Sequence, residues 1–207
     1  MTPLRVLQNE VQACHRCAHS STRTQTVFAK GDPLSPLCFV GEAPGEEEDA
    51  QGIPFVGDSG KLLDKQIAAM REYAAAQGIA FPADPYVCNV LKCRPPGNKL
   101  LHNGSDVFAC AEHLWHQLRL LPNLRVIVAL GRIAAQTLLG SDLAIGKLRG
   151  TTYAHYDLAQ PVVLGLEARS VFTIATYHPA YLLRQPNNKE LSRAVWADLK
   201  RAVEALQ

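Results

Sequence analysis

The sequence predicts an α/β fold, a three-layer α/β/α arrangement around a central, mainly parallel four-stranded sheet. Two observations carry this. Four short apolar runs rich in β residues recur along the chain, and helical patterns with their own start and stop signals separate them. A strand covered on both faces reads as a near-continuous apolar run. Strands alternating with helices then imply right-handed crossovers and helices on both faces of the sheet.

In order, the runs are Leu37–Gly41 (LCFVG), Tyr86–Leu91 (YVCNVL), Val126–Leu130 (VIVAL) and Val171–Thr176 (VFTIAT). After the first, Ser59 is placed to cap a helix through KLLDKQIAAMREYAAAQ, which Gly78 ends. Ser105 is placed to cap DVFACAEHLWHQLRLL, which stops before Pro122. Gly131 opens RIAAQTLL, closed by Gly140. The last helix runs from Lys189 to about Leu206, with Leu191, Val195, Leu199 and Val203 as its apolar stripe. In such folds ligands sit beyond the carboxyl ends of the strands. Those ends carry Glu42, Asn89, Gly131 and His178.

The 207 residues suit one domain spanning 1–207, without repeat, low-complexity segment or linker. An apolar share of 47% and a charged share of 19% are ordinary for a soluble protein. The net charge of +2 permits a nucleic-acid partner if the cations cluster on one face, without requiring one. MTPLRVLQNEVQ lacks the apolar core of a secretory leader, and no stretch approaches a membrane span. Six cysteines without a leader favour a reducing compartment and metal ligation over disulfides, so the expected location is cytoplasmic.

The cysteines divide by position. Cys14 and Cys17 form C-H-R-C, two thiolates on one tight turn, and Cys93 and Cys110 flank a proline-rich loop. Four such thiolates suit zinc or an iron–sulfur cluster equally by ligand type, and a redox C-x-x-C is a third reading. Cys38 lies inside the first strand, and strand alternation turns Cys88 away from Asn89 and Cys93, so both read as small buried hydrophobes.

GEAPGEEED follows the first strand directly, so Gly41 to Gly45 form a backbone-rich turn at the ligand end of the sheet. Glycines let a flat ligand approach the main chain, and free N–H groups there can hold a carbonyl oxygen or a developing anion. An isolated acidic run is usually a solvated loop. The adjoining I-P-F-V-G, with Phe55 placed to present a ring, changes that balance.

Together the cysteine frame, GEAPGEEEDAQGIPFVGDSG (41–60) and TYHPAYLLRQP (176–186) resemble the iron–sulfur (family 4) uracil-DNA glycosylases over almost the whole chain. The resemblance implies hydrolysis of the N-glycosidic bond of uracil flipped out of single- or double-stranded DNA, by a monomer with no membrane partner. It decides the metal as a structural 4Fe–4S cluster on Cys14, Cys17, Cys93 and Cys110. It places Gly41, Glu42 and Ala43 in the first pocket motif, with Glu42 orienting water or stabilising the cationic sugar. Phe55 takes the place of the ring that stacks on the base, and Asn89 of the amide that reads its Watson–Crick edge. Glu47 or Glu48 matches the acidic residue beside C5, and His178 the histidine that hydrogen-bonds uracil O2. Beside it, Leu182, Leu183 and Arg184 are candidates to fill the gap in the stack and clamp the DNA.

The chain departs from the family after Cys93. RPPGNK begins like the R-P-P-x-N-R loop, but LLHNGSD follows where a proline and an acidic helix start are usual. His102 then falls where a related subclass carries a histidine that becomes covalently attached to the sugar. Retention of Cys93, and the lack of that subclass's basic K-R-R-I-H stretch, favour an ordinary glycosylase. The rivals are a covalently crosslinking relative using His102, a non-catalytic zinc-bound nucleic-acid-binding module, and a redox protein.

Overall fold

Each apolar run becomes a strand in the computed structural model, which describes residues 1–101, 104–155 and 171–207. Among these, five strands form one sheet: β1 (Leu37–Gly41), β2 (Tyr86–Asn89), β3 (Val126–Leu130), β4 (Thr152–His155) and β5 (Val171–Thr176). The order is β2-β1-β3-β5-β4, and all neighbouring pairs are parallel except β4 with β5. The expected four-stranded sheet is thus corrected to five. No apolar run marks TYAH, and what recruits it is the backbone edge of β5, which would otherwise lie unpaired.

Eight helices accompany the sheet among the described residues: α1 (Pro3–Gln12), α2 (Glu46–Gln51), α3 (Asp58–Ala76), α4 (Ser105–Arg119), α5 (Arg132–Leu139), α6 (Ile145–Leu148), α7 (Pro179–Leu183) and α8 (Lys189–Glu204). Strand side chains alternate between two apolar layers. Leu37, Phe39, Val87, Val128 and Ile174 pack with Leu63 and Met70 of α3 and Val195 and Leu199 of α8. Cys38, Val40, Cys88, Ile127 and Ala129 face Cys110, Leu114 and Leu118 of α4 and Ala134 and Leu138 of α5. Three layers result, as expected, and Cys38 and Cys88 are core residues.

Two helix starts differ from expectation. Neither Ser59 nor Ser105 caps its helix: the caps are Gly57 and Gly104, and both serines lie inside the first turn. The α8 stripe is as read, although the helix ends at Glu204. At α5, Gly131 (φ +91°) opens the helix and Gly140 (φ +58°) closes it, both in the left-handed region that favours glycine.

The N-terminal helix α1 begins with Thr2 Oγ1 accepting from the Arg5 N–H. It buries Leu7 and Val11 against Phe28 and Leu120, which lays it along α4. At the opposite edge of the sheet, Lys30 exchanges both backbone hydrogen bonds with Val87, closing the outer side of β2. Among the described residues no helix is long and apolar enough to cross a membrane.

One buried network sets the carboxyl end of β5. Asp198 of α8 is fully buried and accepts from Thr176 Oγ1 (2.8 Å), from Arg149 Nε (3.0 Å) and Nη2 (3.1 Å), and from Arg201. Thr176 lies two residues before His178. Removing one partner of a buried ion pair strands the rest, typically at a cost of about 3–5 kcal/mol. Asp198→Ala should therefore lower unfolding stability in urea by about that amount, and Arg201→Ala, at the exposed rim, by under about 1 kcal/mol.

Candidate active site

The parallel register places Gly41 opposite Asn89. Pairing continues past the end of β2, with Val90 N–H donating to Gly41 O and Leu91 N–H to Glu42 O. At the carboxyl ends of these strands opens a cleft of about 500 Å³. It brings together Glu42, Ala43, Glu47, Glu48, Phe55, Asn89 and His178, with Arg184 at its margin.

Gly41 is required by closeness. A Cβ there would stand 2.4 Å from Asn89 Oδ1 and 2.5 Å from Phe55 Cζ. The Phe55 ring therefore lies over bare backbone, and it stacks at 5.7 Å on the His178 ring. Phe55 itself has φ +54°, a strained conformation for an aromatic residue. Two contacts hold it there: Lys30 Nζ donates to its carbonyl (2.9 Å), and that carbonyl packs where Gly60 has no side chain. Asn89 is 2% exposed, and its Oδ1 accepts no hydrogen bond among the described residues. A buried amide oxygen left unpaired costs about 1–3 kcal/mol, which a ligand donor can recover.

His178 caps α7, with its Nδ1 accepting from Ala180 N–H at 3.1 Å. That bond fixes the neutral ring with its proton on Nε2. Burial, reinforced by the charge of Arg184, pushes its pKa down to about 4. Glu42 behaves oppositely. Burial raises its pKa, Arg132 and Arg184 pull it back, and Asp106 adds to the rise.

The two acidic candidates beside Phe55 separate cleanly. Glu48 Oε1 accepts from the N–H groups of Val56 and Gly57 (both 2.9 Å), and its Oε2 from Gly45 N–H (3.0 Å). Its carboxylate locks the loop. Glu47 also lines the cleft, with Oε1 beside Gly57. Leu183 is not part of the cleft wall. It stands 44% exposed at the end of α7, next to Arg184, whose guanidinium lies over the Tyr181 ring. His102 lies outside the described residues.

The four expected cysteine ligands line one small cavity between the N-terminal segment and α4, together with Val11, Arg23, Lys92 and His113. Two N–H groups and a ring nitrogen approach the sulfurs: Arg23 Nη1 to Cys93 (3.1 Å), the Lys92 backbone to Cys110 (3.3 Å), and His113 Nε2 at 3.3 Å from Cys14. Burial raises the pKa of Cys93, and that of Cys110 to about 11, with Arg23 and Lys92 respectively opposing the rise. Among the described residues no three His, Cys, Asp or Glu side chains are grouped as ligands of a single metal ion.

The model of the uracil DNA glycosylase superfamily matches residues 28–200. A type-5 uracil-DNA glycosylase of Thermus thermophilus is 35% identical over 117 residues, only 53% of this chain and 52% of the relative. The type-4 likeness is of another extent. A type-4 uracil-DNA glycosylase of Thermotoga maritima is 36% identical over 200 residues, 96% of this chain and 92% of the relative. The type-4 enzyme of Archaeoglobus fulgidus is 36% identical over 198 residues, covering 92% and 88%. The chain belongs to the type-4 uracil-DNA glycosylases.

Some of what shapes the site in this type-4 chain is not legible from its sequence. Lys92 is 1% exposed; its Nζ donates to Asn89 O (2.7 Å) and Gln117 Oε1 (2.5 Å), tying the strand that carries Asn89 to α4. A lysine interrupting the apolar stretch YVCNVLKC was the available signal. Lys30 under Phe55 and Arg132 beside Glu42 had none. The division between the adjacent glutamates is open to test. Glu48→Ala strands three backbone donors and should lower stability by about 3 kcal/mol or more, at about 1–3 kcal/mol for each group left unpaired. Glu47→Ala should change it by under about 0.5 kcal/mol. Urea unfolding of the two variants measures the difference.

Proposed function

We propose that this chain excises uracil from DNA by hydrolysing its N-glycosidic bond, and that the residues gathered in the cleft perform the reaction. One observation supports this above the others: a buried amide, Asn89, with an unpartnered oxygen beside an aromatic ring. Uracil presents a donor at N3 next to an acceptor at O4, which the amide C=O and NH₂ match together. Cytosine presents the reverse pair, so the same amide meets two repulsive contacts. Sites built on such matching can discriminate by roughly 10⁴–10⁵.

The reaction breaks the bond between C1′ and N1, and the electron pair leaves with the base. Positive charge develops on the sugar and negative charge spreads over N1, O2 and O4. His178, neutral with a proton on Nε2, supplies a fixed donor for O2. Being neutral, it lowers the cost of the leaving anion without first requiring a charge to be buried. Glu42 serves the sugar half of the reaction. Its carboxylate stabilises the cationic sugar and orients a water, whose oxygen bonds to C1′ and whose proton passes to the carboxylate. The departing uracil anion takes up a proton from solvent. Phe55 provides the stacking face that compensates the flipped base, and Glu47 is the acidic residue available near C5, Glu48 being committed to the loop. Leu183 and Arg184, exposed beside the cleft, suit the gap left in the stack and the adjoining phosphate. A single chain lines the whole cleft, so the reading requires only a monomer, acting as one domain on uracil-containing DNA.

For the cysteines the reading is a structural 4Fe–4S cluster held by Cys14, Cys17, Cys93 and Cys110. The fit rests on the donor set. Four thiols, two N–H groups and the His113 ring nitrogen surround one cavity walled by Val11 and Ala109. By ligand type four thiolates suit one zinc ion as well, and the likeness to the type-4 glycosylases is what favours the cluster. Cys14, Cys17, Cys93 and Cys110 would hold such a cluster as thiolates, and binding it would tie the N-terminal segment to α4. Cys14, Cys17, Cys93 and Cys110→Ala variants should each lose the brown colour and visible absorption and unfold at lower temperature, while Cys38→Ala and Cys88→Ala keep the colour. A colourless native protein with one tightly held zinc would overturn the cluster.

The deciding experiment for the activity is incubation with a uracil-containing oligonucleotide, followed by alkaline cleavage at the abasic site. Glu42→Gln and His178→Ala should slow single-turnover release by about 100-fold or more while DNA binding changes little, since both act mainly in the transition state. The pH dependence has a defined sign. A carboxyl with a raised pKa loses its charge as pH falls through that value, before His178 protonates at about 4. The native rate should therefore fall on the acid side above the ordinary carboxylate range. In Glu42→Gln that limb should vanish, leaving a low, flat rate down to about pH 4. Retention of the native limb in Glu42→Gln would remove Glu42 from the role.

A further inference from the structure

Beside the cleft lies a second and larger depression, a groove of about 1400 Å³ between α4 and α5. The two meet at Glu42, which lines both. Their junction is the point where the strand order reverses. The chain leaves β1 through α3 on one face of the sheet, and leaves β3 through α5 on the other. Crevices at such points are where open α/β sheets take ligands.

The outward face of α4 is unusual for a solvated helix. Phe108 and Trp115 stand two turns apart on it, with Arg119 one turn beyond. Phe108 is 84% exposed, although the opposite face of the same helix supplies Cys110, Leu114 and Leu118 to the core. Arg16, Lys99 and Arg132 complete a basic wall. The groove's acidic groups are Glu112, which is paired with Arg16, and Glu42 at its mouth. Cations beside an exposed aromatic face are the combination that holds single-stranded nucleic acid: phosphates meet the cations, and an unstacked base lies on the ring. In a duplex each base is already stacked on its neighbours, so a surface ring gains a base face to stack on chiefly where the strand is single.

We propose that this groove binds the single DNA strand that runs on from the nucleotide held in the cleft, with Phe108 as a stacking platform. This rests on the excision reading and extends it: the groove makes the single strand on one side of the uracil part of the recognised substrate.

The test uses single-stranded uracil oligonucleotides whose 5′ or 3′ flank is lengthened stepwise, with a matched duplex beside them. For the native protein KM should fall as the flank grows on one side, and kcat should stay constant. Phe108→Ala should raise KM for the long-flanked strand at least about 5-fold, as expected for loss of one stacked base. It should leave KM for the shortest strand and for the duplex unchanged, and kcat unchanged throughout. Because Phe108 is exposed, its melting temperature should match the native one. Lys99→Gln should flatten the salt dependence of KM for the long strand, by about one unit of the log–log slope. Equal KM values for native and Phe108→Ala on every strand would overturn the groove, and so would an equal rise on strand and duplex. Native protein that releases no uracil from any of these substrates would overturn the excision reading itself, whereas native excision with an indifferent Phe108→Ala would overturn only the groove.

Discussion

The pocket depends on an absent side chain. Gly41 ends β1 directly opposite Asn89, and bare backbone at that position lets the Asn89 amide and the Phe55 ring meet over it. The rest follows from keeping those three in place. Lys92 holds the Asn89 carbonyl from below, Lys30 holds the Phe55 carbonyl, and the Glu48 carboxylate gathers the N–H groups on either side of the loop. The strain of Phe55 at φ +54° is sustained by this surrounding set. The parallel sheet makes such precision possible, because β1 is packed on both faces and a slip would drive Leu37 and Phe39 into the layer built around Cys38 and Val40.

His178 and Glu42 show how burial acts on two titrating groups of opposite charge type. Burial disfavours the charged form of each, so the imidazole is kept neutral and the carboxyl is pushed towards neutrality. Arg184 acts on both, opposing protonation of the ring and supporting ionisation of the carboxyl. The Ala180 N–H then decides which edge of the ring keeps its proton. Backbone geometry has settled a question of acid–base chemistry.

The sequence displayed the sheet well because strands buried on both faces must be apolar throughout. It displayed β4 poorly because an edge strand needs only backbone groups to pair, and TYAH carries no pattern. Helix starts misled for a related reason: Ser59 and Ser105 are favourable caps by type, yet glycines precede both helices and take that position. The cleft residues themselves were readable from their motifs, and the structure does gather Glu42, Phe55, Asn89 and His178 around one opening. Glu47 and Glu48 could not be separated in sequence, since neighbours on a helix differ only by rotation about its axis, and only folding shows which one meets the loop. Lys92 was hidden by its type, because a lysine beside a proline-rich loop ordinarily faces water.

Lys30 serves two ends at once. Its backbone seals the outer edge of β2, and its side chain reaches inward to the carbonyl under the pocket ring. The seal belongs to the main chain and survives any side chain other than proline, while the grip on Phe55 belongs to the ammonium alone. Protection against edge-to-edge association and the shape of the cleft therefore sit at one address but draw on different atoms. Selection can alter the pocket through position 30 without opening the sheet to its neighbours.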